Sequence, residues 1–105
     1  LTPNNLNHIL EHSWDESLIG KMSLFYSQYS SPQAITSLFW NAFGLRTERW
    51  VWNGSRQKCR TFIQMPTAIG LDRDGAASRL LEMRVFRPDS PAGPFFLNTM
   101  FPSHR

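Results

Sequence analysis

Asn53-Gly54 stands between two runs of extended-type residues, 47–52 and 55–65, and constrains the fold more than any other feature of the chain. Both residues tolerate the positive φ that a type I′ turn requires, so the pair predicts a β-hairpin. A two-residue turn would set Trp52 opposite Ser55, Trp50 opposite Gln57 and Glu48 opposite Cys59. Side chains alternate along a strand. One face would therefore carry Trp50, Trp52, Cys59, Thr61 and Ile63, and the other Arg49, Val51, Arg56, Lys58, Arg60 and Phe62. The hairpin sorts its tryptophans to one side and its cations to the other.

Upstream of that hairpin the hydrophobic period is helical. Thr2-Pro3 reads as an N-cap followed by proline at the first helical position, with Leu6, Ile9 and Leu10 on one face. Ser13-Trp14-Asp15-Glu16 has the form of a capping box. Leu18, Met22, Phe25 and Tyr29 follow on a single helical face. Ser31-Pro32 caps a third helix over residues 32–43. Its buried stripe is Ile35, Leu38, Phe39 and Ala42, and Gly44 is expected to end it in the left-handed region. Gln33, Thr36, Ser37, Trp40 and Asn41 occupy its outer face.

Downstream, Pro66 ends a strand, residues 67–71 form a short run, and Asp72-Arg73-Asp74-Gly75 reads as a turn. Residues 78–86 form a strand with Leu81, Met83 and Val85 on one side. Residues 88–105 read as a Pro/Phe-rich tail, sticky enough to lie against the domain or a partner. The expected fold is α+β: three N-terminal helices followed by an antiparallel sheet of about four strands, winged-helix-like or helix-plus-curved-sheet. With 105 residues and 13% aromatics, a single domain over 1–105 is expected. Within it lie a helical half 1–45, a hairpin half 46–87 and the tail 88–105.

Charge divides at the same place as the fold. Residues 1–45 hold Lys21 against Glu11, Asp15 and Glu16, and the remainder of the chain holds ten of its 11 basic residues. Arg49, Arg56, Lys58 and Arg60 would form an acid-free stripe able to follow a phosphate backbone. If the third helix were a recognition helix and the hairpin its wing, Gln33, Ser37 and Asn41 could reach base edges. The expected function is a non-catalytic binding module that takes nucleic acid through the basic hairpin face.

Two other readings compete. Trp40 and the Phe-rich tail suit a protein-interaction domain, a subunit of a larger assembly or a homo-oligomer. Alternatively, Trp50 and Trp52 could line a cavity between helices and a curved sheet. That layout resembles the nuclear-transport-factor-like folds, which host both enzymes and binders.

Catalytic, cofactor and metal sites are not expected. Cys59 is the sole cysteine, which rules out an internal disulfide and a Cys-rich zinc site. His8 and His12 share a helical face but lack the glutamate placement of a zinc peptidase, and surface positions are the expectation for them. Asp72-Arg73-Asp74-Gly75 resembles the start of a calcium loop, but Met83 stands where the closing glutamate belongs. Glu82, in phase with Leu80 and Arg84, reads as half of a solvent-side ion pair, and Glu48 or Glu82 would become a candidate base only if buried in a concave sheet. No apolar run reaches the length of a membrane span. Asn53-Gly54-Ser55 fits a glycosylation acceptor but is better read as the turn. An intracellular setting is the expectation.

Overall fold

A computed structural model describes residues 3–45, 51–53, 58–86 and 96–104 of the chain. The fold is α+β, with one main helix and two antiparallel sheets. The elements are α1 (Pro3–Leu10), β1 (Leu24–Phe25), α2 (Pro32–Leu45), β2 (Val51–Asn53), β3 (Lys58–Gln64), β4 (Gly70–Leu71), β5 (Ala77–Ser78), β6 (Leu80–Phe86) and β7 (Phe96–Ser103). A four-stranded sheet has the order β2-β3-β6-β7, and a small three-stranded one the order β1-β4-β5.

α2 is built as its sequence suggests. Ser31 Oγ accepts from the Ala34 amide at 3.1 Å, which satisfies one of the free donors of the first turn. Ile35, Leu38, Phe39 and Ala42 are its buried residues. They pack with Cys59, Ile63, Leu81, Met83, Val85 and Met100 in the main core. The helix runs through Gly44 to Leu45 instead of stopping before the glycine.

The three expected N-terminal helices are not all present. α1 and α2 form, but the segment carrying Leu18, Met22, Phe25 and Tyr29 consists of two 3-10 turns, Glu16–Leu18 and Ser27–Tyr29, around strand β1. Two causes are visible. Gly20 adopts φ 79°, a left-handed conformation that ends helical propagation. Beyond it, Leu24 and Phe25 pair with Leu71 and Gly70. The first of these turns is capped by Asp15, not Ser13: the Asp15 carboxylate accepts from the Ser17 amide at 3.0 Å. The small sheet needs glycine at position 70, because a Cβ there would sit 2.0 Å from the Leu24 carbonyl oxygen.

The hairpin register differs from the expected one. Asn53 pairs with Lys58 and Trp52 with Cys59, so residues 54–57 lie between the paired positions and Trp52 does not face Ser55. Displacement by an even number of residues preserves the sorting of faces. Cys59, Thr61 and Ile63 are buried, Phe62 is half-buried and Arg60 is exposed. The core explains the register, since Cys59, Thr61 and Ile63 meet Val85, Met83 and Leu81 on β6.

Part of the expected tail is a strand. β7 pairs with β6 from Phe96↔Phe86 to Ser103↔Leu80 and buries Leu97 and Met100. Pro102 is compatible with this strand because β7 is an edge of the sheet, where no ladder donor is needed on the open side. The Asn5 side-chain amide donates to the Leu97 carbonyl, tying α1 to β7. Among the described residues no helix is long and apolar enough to cross a membrane.

Candidate functional site

The four-stranded sheet has two unlike faces. α2 and the core cover the one bearing Cys59, Ile63, Leu81, Met83 and Val85. The alternation of the strands puts Arg60, Phe62, Glu82, Arg84, Thr99 and Phe101 on the other. The register arranges these six as two rows across β3, β6 and β7: Phe62, Glu82 and Phe101 in one, and Arg60, Arg84 and Thr99 in the next.

Glu82 is only 5% exposed, so it is not the solvent-side residue that its alternation suggested. Its carboxylate is fully engaged. Arg84 Nε donates to Oε2 at 2.6 Å and Ser103 Oγ donates to Oε1 at 3.1 Å. A buried carboxylate requires such partners, because desolvation otherwise opposes its ionised form. The Arg84 guanidinium also lies 5.1 Å from the Phe101 ring centroid, and that of Arg60 lies 5.8 Å from the Phe62 centroid. Arg60 has no carboxylate partner among the described residues.

At the β7 end this face becomes a cavity of about 430 Å³, lined by His12, Ser23, Arg73, Glu82, Arg84, Phe101 and His104 among others. The segment following α1 supplies His12, whose ring stacks on Phe101 at 5.5 Å and 15°. Its Nδ1 lies 2.7 Å from the Ser23 carbonyl oxygen. Only a protonated Nδ1 can donate to a carbonyl, so the neutral ring presents Nε2 as its lone-pair nitrogen. Burial holds the imidazole below its ordinary value of 6.5, partly opposed by the Ser23 hydrogen bond. His8 lowers it further and Glu11 raises it.

His104 forms the rim. Its Nδ1 is 3.6 Å from Asp72 Oδ2 and its Nε2 3.9 Å from Asp74 Oδ2. The buried Asp72 carboxylate also accepts from the amides of Asp74 and Ala76 through Oδ1. Asp72, Asp74 and His104 bring one ligand atom each within 4.8 Å of one another, the described group best able to hold a cation. The calcium-loop comparison omitted His104, which approaches from a strand end far along the chain.

No protein-family model, no curated protein and no solved structure matches this chain. The site is therefore read from its own residues.

Of the residues singled out in the sequence, Arg60 lies exposed on the sheet face and Lys58 belongs to the same strand. Arg49 and Arg56 lie outside the described residues, as do Glu48 and Trp50. Gln33, Ser37 and Asn41 are exposed on α2, but α2 packs on the other side of the sheet from Arg60 and Arg84. The fold does not bring the helix trio and these two arginines onto one surface. Sequence reasoning anticipated the Glu82–Arg84 ion pair but not the burial of Glu82, considered His12 only beside His8, and missed Ser103 and His104. The available signal was the period-two alternation of Phe101 and Ser103 with buried Met100 and Pro102, which marks a strand despite the proline.

Proposed function

We propose that this chain is a nucleic-acid-binding module whose sheet face bearing Arg60 and Arg84 takes a single strand. The observation that carries this reading is the direct pairing of Arg60 with Arg84 across β3 and β6. Glu82 balances Arg84, while Arg60 has no carboxylate partner among the described residues, so the pair keeps one positive charge that a polyanion can meet. The neighbouring row adds half-buried Phe62 and Phe101. Aromatic rings beside cations suit a single strand, whose bases stack while its phosphates are neutralised. In this version of the nucleic-acid reading the sheet, not a winged-helix recognition helix, makes the contact.

The test is fluorescence anisotropy of labelled single-stranded and duplex oligonucleotides at two salt concentrations. Binding is expected to weaken steeply with salt. Arg60→Ala should make the log–log salt slope shallower by about 0.7, the loss of one single-strand phosphate contact. Absence of binding even at about 50 mM salt, where such contacts are strong, would sink the reading.

A second reading rests on Trp40, which is 61% exposed and packs edge-on to Phe39 and Phe43. An aromatic this exposed on the outer side of α2 suits a protein partner or a second copy of the chain. Light scattering tests it: self-association weakened by Trp40→Ala supports the interaction reading, and a clean monomer at high concentration counts against self-association.

A further inference from the structure

We propose that the cavity of about 430 Å³ at the β7 end of the sheet binds a sugar phosphate, either at the end of a nucleic-acid strand or as a free phosphorylated sugar. This goes beyond strand binding on the sheet face and stands without it, because the cavity has donors of its own.

The hydrogen-bonding groups of the cavity are unbalanced towards donors. Both oxygens of Glu82 are engaged, Oε2 by Arg84 Nε at 2.6 Å and Oε1 by Ser103 Oγ at 3.1 Å. Arg84 reaches Glu82 through Nε alone, so its two terminal nitrogens have no acceptor among the described residues. Arg73 lines the same cavity, is exposed and has no carboxylate partner among the described residues. Two guanidinium groups thus border a space whose lining carboxylate is already paired. A ligand that fits must supply acceptors and negative charge, and a phosphate supplies both in the geometry of the arginine fork.

Arg84 is held in place without a ligand. Glu82 is buried, and the Arg84 guanidinium carbon lies 5.1 Å from the Phe101 ring centroid. A fork fixed by a carboxylate and an aromatic face loses little freedom on binding. A buried ion pair is weak evidence of stability; the geometric effect of this one is to leave the outer edge of Arg84 for the cavity.

His12 contributes a group of the opposite kind. Its Nδ1 is occupied by the Ser23 carbonyl at 2.7 Å, and its ring stacks on Phe101 at 5.5 Å. The remaining nitrogen, Nε2, is an acceptor in the neutral ring and calls for a hydroxyl on the ligand. A phosphate attached to a hydroxyl-bearing sugar meets both demands, and the volume, within the range of small-ligand sites, leaves room for the sugar. His104 takes no part, since its ring nitrogens face Asp72 and Asp74 at 3.6 and 3.9 Å. Those carboxylates limit the ligand instead. A second phosphate beside them would be repelled, so the bound phosphate is the last of a strand or belongs to a single sugar.

Calorimetric titration of the whole chain with ribose 5-phosphate, ribose and inorganic phosphate tests the site. Ribose 5-phosphate is expected to bind about 10-fold more tightly than either fragment, or better, the factor that one charged hydrogen-bonding group supplies. Arg73→Ala removes an exposed donor, and Arg84→Lys keeps a cation for Glu82 but removes the fork. Each should weaken ribose 5-phosphate by about 10-fold or more, with thermal melting showing the fold retained, while Arg60→Ala leaves its binding unchanged. A 5′-phosphorylated oligonucleotide that binds more tightly than its 5′-hydroxyl counterpart identifies the strand end as the source of the phosphate. Ribose 5-phosphate bound tightly, with no difference between the two strands, identifies the free sugar. If neither strand binds but ribose 5-phosphate does, the sheet-face reading falls and the cavity site stands. Ribose 5-phosphate binding no better than ribose overturns the site, and leaves the sheet-face reading standing where the strands still bind. Binding undiminished by Arg73→Ala and Arg84→Lys overturns it too, and inorganic phosphate bound as tightly as ribose 5-phosphate overturns the assignment of a sugar.

Discussion

Arg84 Nε lies 2.6 Å from the Oε2 atom of Glu82, and that carboxylate is shut away from solvent while the arginine is not, with side-chain exposures of 7% and 44%. The two members of the pair are therefore unequal. Removing Arg84 leaves a buried carboxylate with the Ser103 hydroxyl as its remaining partner among the described residues. Arg84→Ala is expected to cost about 1–3 kcal/mol, the penalty for an under-satisfied buried charged acceptor, towards the lower end because Arg84 is partly solvated. Glu82→Gln/Arg84→Ala should lose less than the two single losses combined. Urea melts measure all four chains, and an Arg84→Ala chain as stable as the parent would contradict the pairing.

How far this site could be read from sequence depends on the range of its contacts. α2 was open to inspection because its cap, stripe and proline lie within one short segment. The two faces of β3 were equally open, since alternation survives an even shift in register. Glu82 was not. Its partner Ser103 comes from β7, and whether residues 96–103 form a strand is decided by pairing with β6, which local propensity obscured behind Pro102. His12 and His104 show the same limitation. Each is defined by a partner from another segment, Ser23 in one case and Asp72 in the other. The failed helix over residues 18–29 has the opposite origin: its spacing was correctly helical, and long-range pairing of β1 with β4 overrode it.

Acid should weaken the fold through His12. Its native imidazole is held below the ordinary value of 6.5, chiefly by burial. Between the lowered native value and 6.5 the unfolded chain binds more protons than the folded one, so stability rises with pH across that window. Stability is present above 6.5 and declines as the pH falls through the native value. Thermal melts between about pH 7.5 and 5.5, the range in which histidine titrates, should show this decline. In His12→Asn the decline should flatten, because no group at that position then titrates. An unchanged slope in the variant would exclude His12 as its source.

Gly70→Ala tests the small sheet. The added methyl carbon would meet the Leu24 carbonyl oxygen at 2.0 Å and the Phe25 Cα at 2.9 Å. These are backbone atoms, so no side chain can turn aside, and β1 must separate from β4. A loss of about 2–3 kcal/mol is expected, within the range for overpacked sites. The β1 segment follows Ser23, so its displacement should also disturb the His12 contact with the Ser23 carbonyl. Chemical denaturation provides the measurement, and a loss below about 0.5 kcal/mol, typical of an unconstrained surface position, would refute the close approach.

Shortening the chain to end at residue 95 addresses the structural standing of β7. The truncation removes Leu97 and Met100 from the core, where their exposures are 6% and 0%. It strips Ser103 from Glu82 and leaves β6 as an unpaired edge, which favours aggregation. A dispensable tail would leave cooperative unfolding intact. An integral strand predicts loss of the near-UV circular dichroism signal and of a sigmoidal melt. Because a truncation can fail for many reasons, Met100→Ala provides the graded version. Deleting a fully buried side chain from a packed core costs about 2–5 kcal/mol, whereas the same substitution in an exposed tail would cost almost nothing. The position of Met100 opposite Met83 adds a coupling test, since side chains in contact give non-additive losses. If Met83→Ala and Met100→Ala add independently, the two do not share a core. If their combined loss departs clearly from the sum, residues 96–103 form a strand of the sheet in solution.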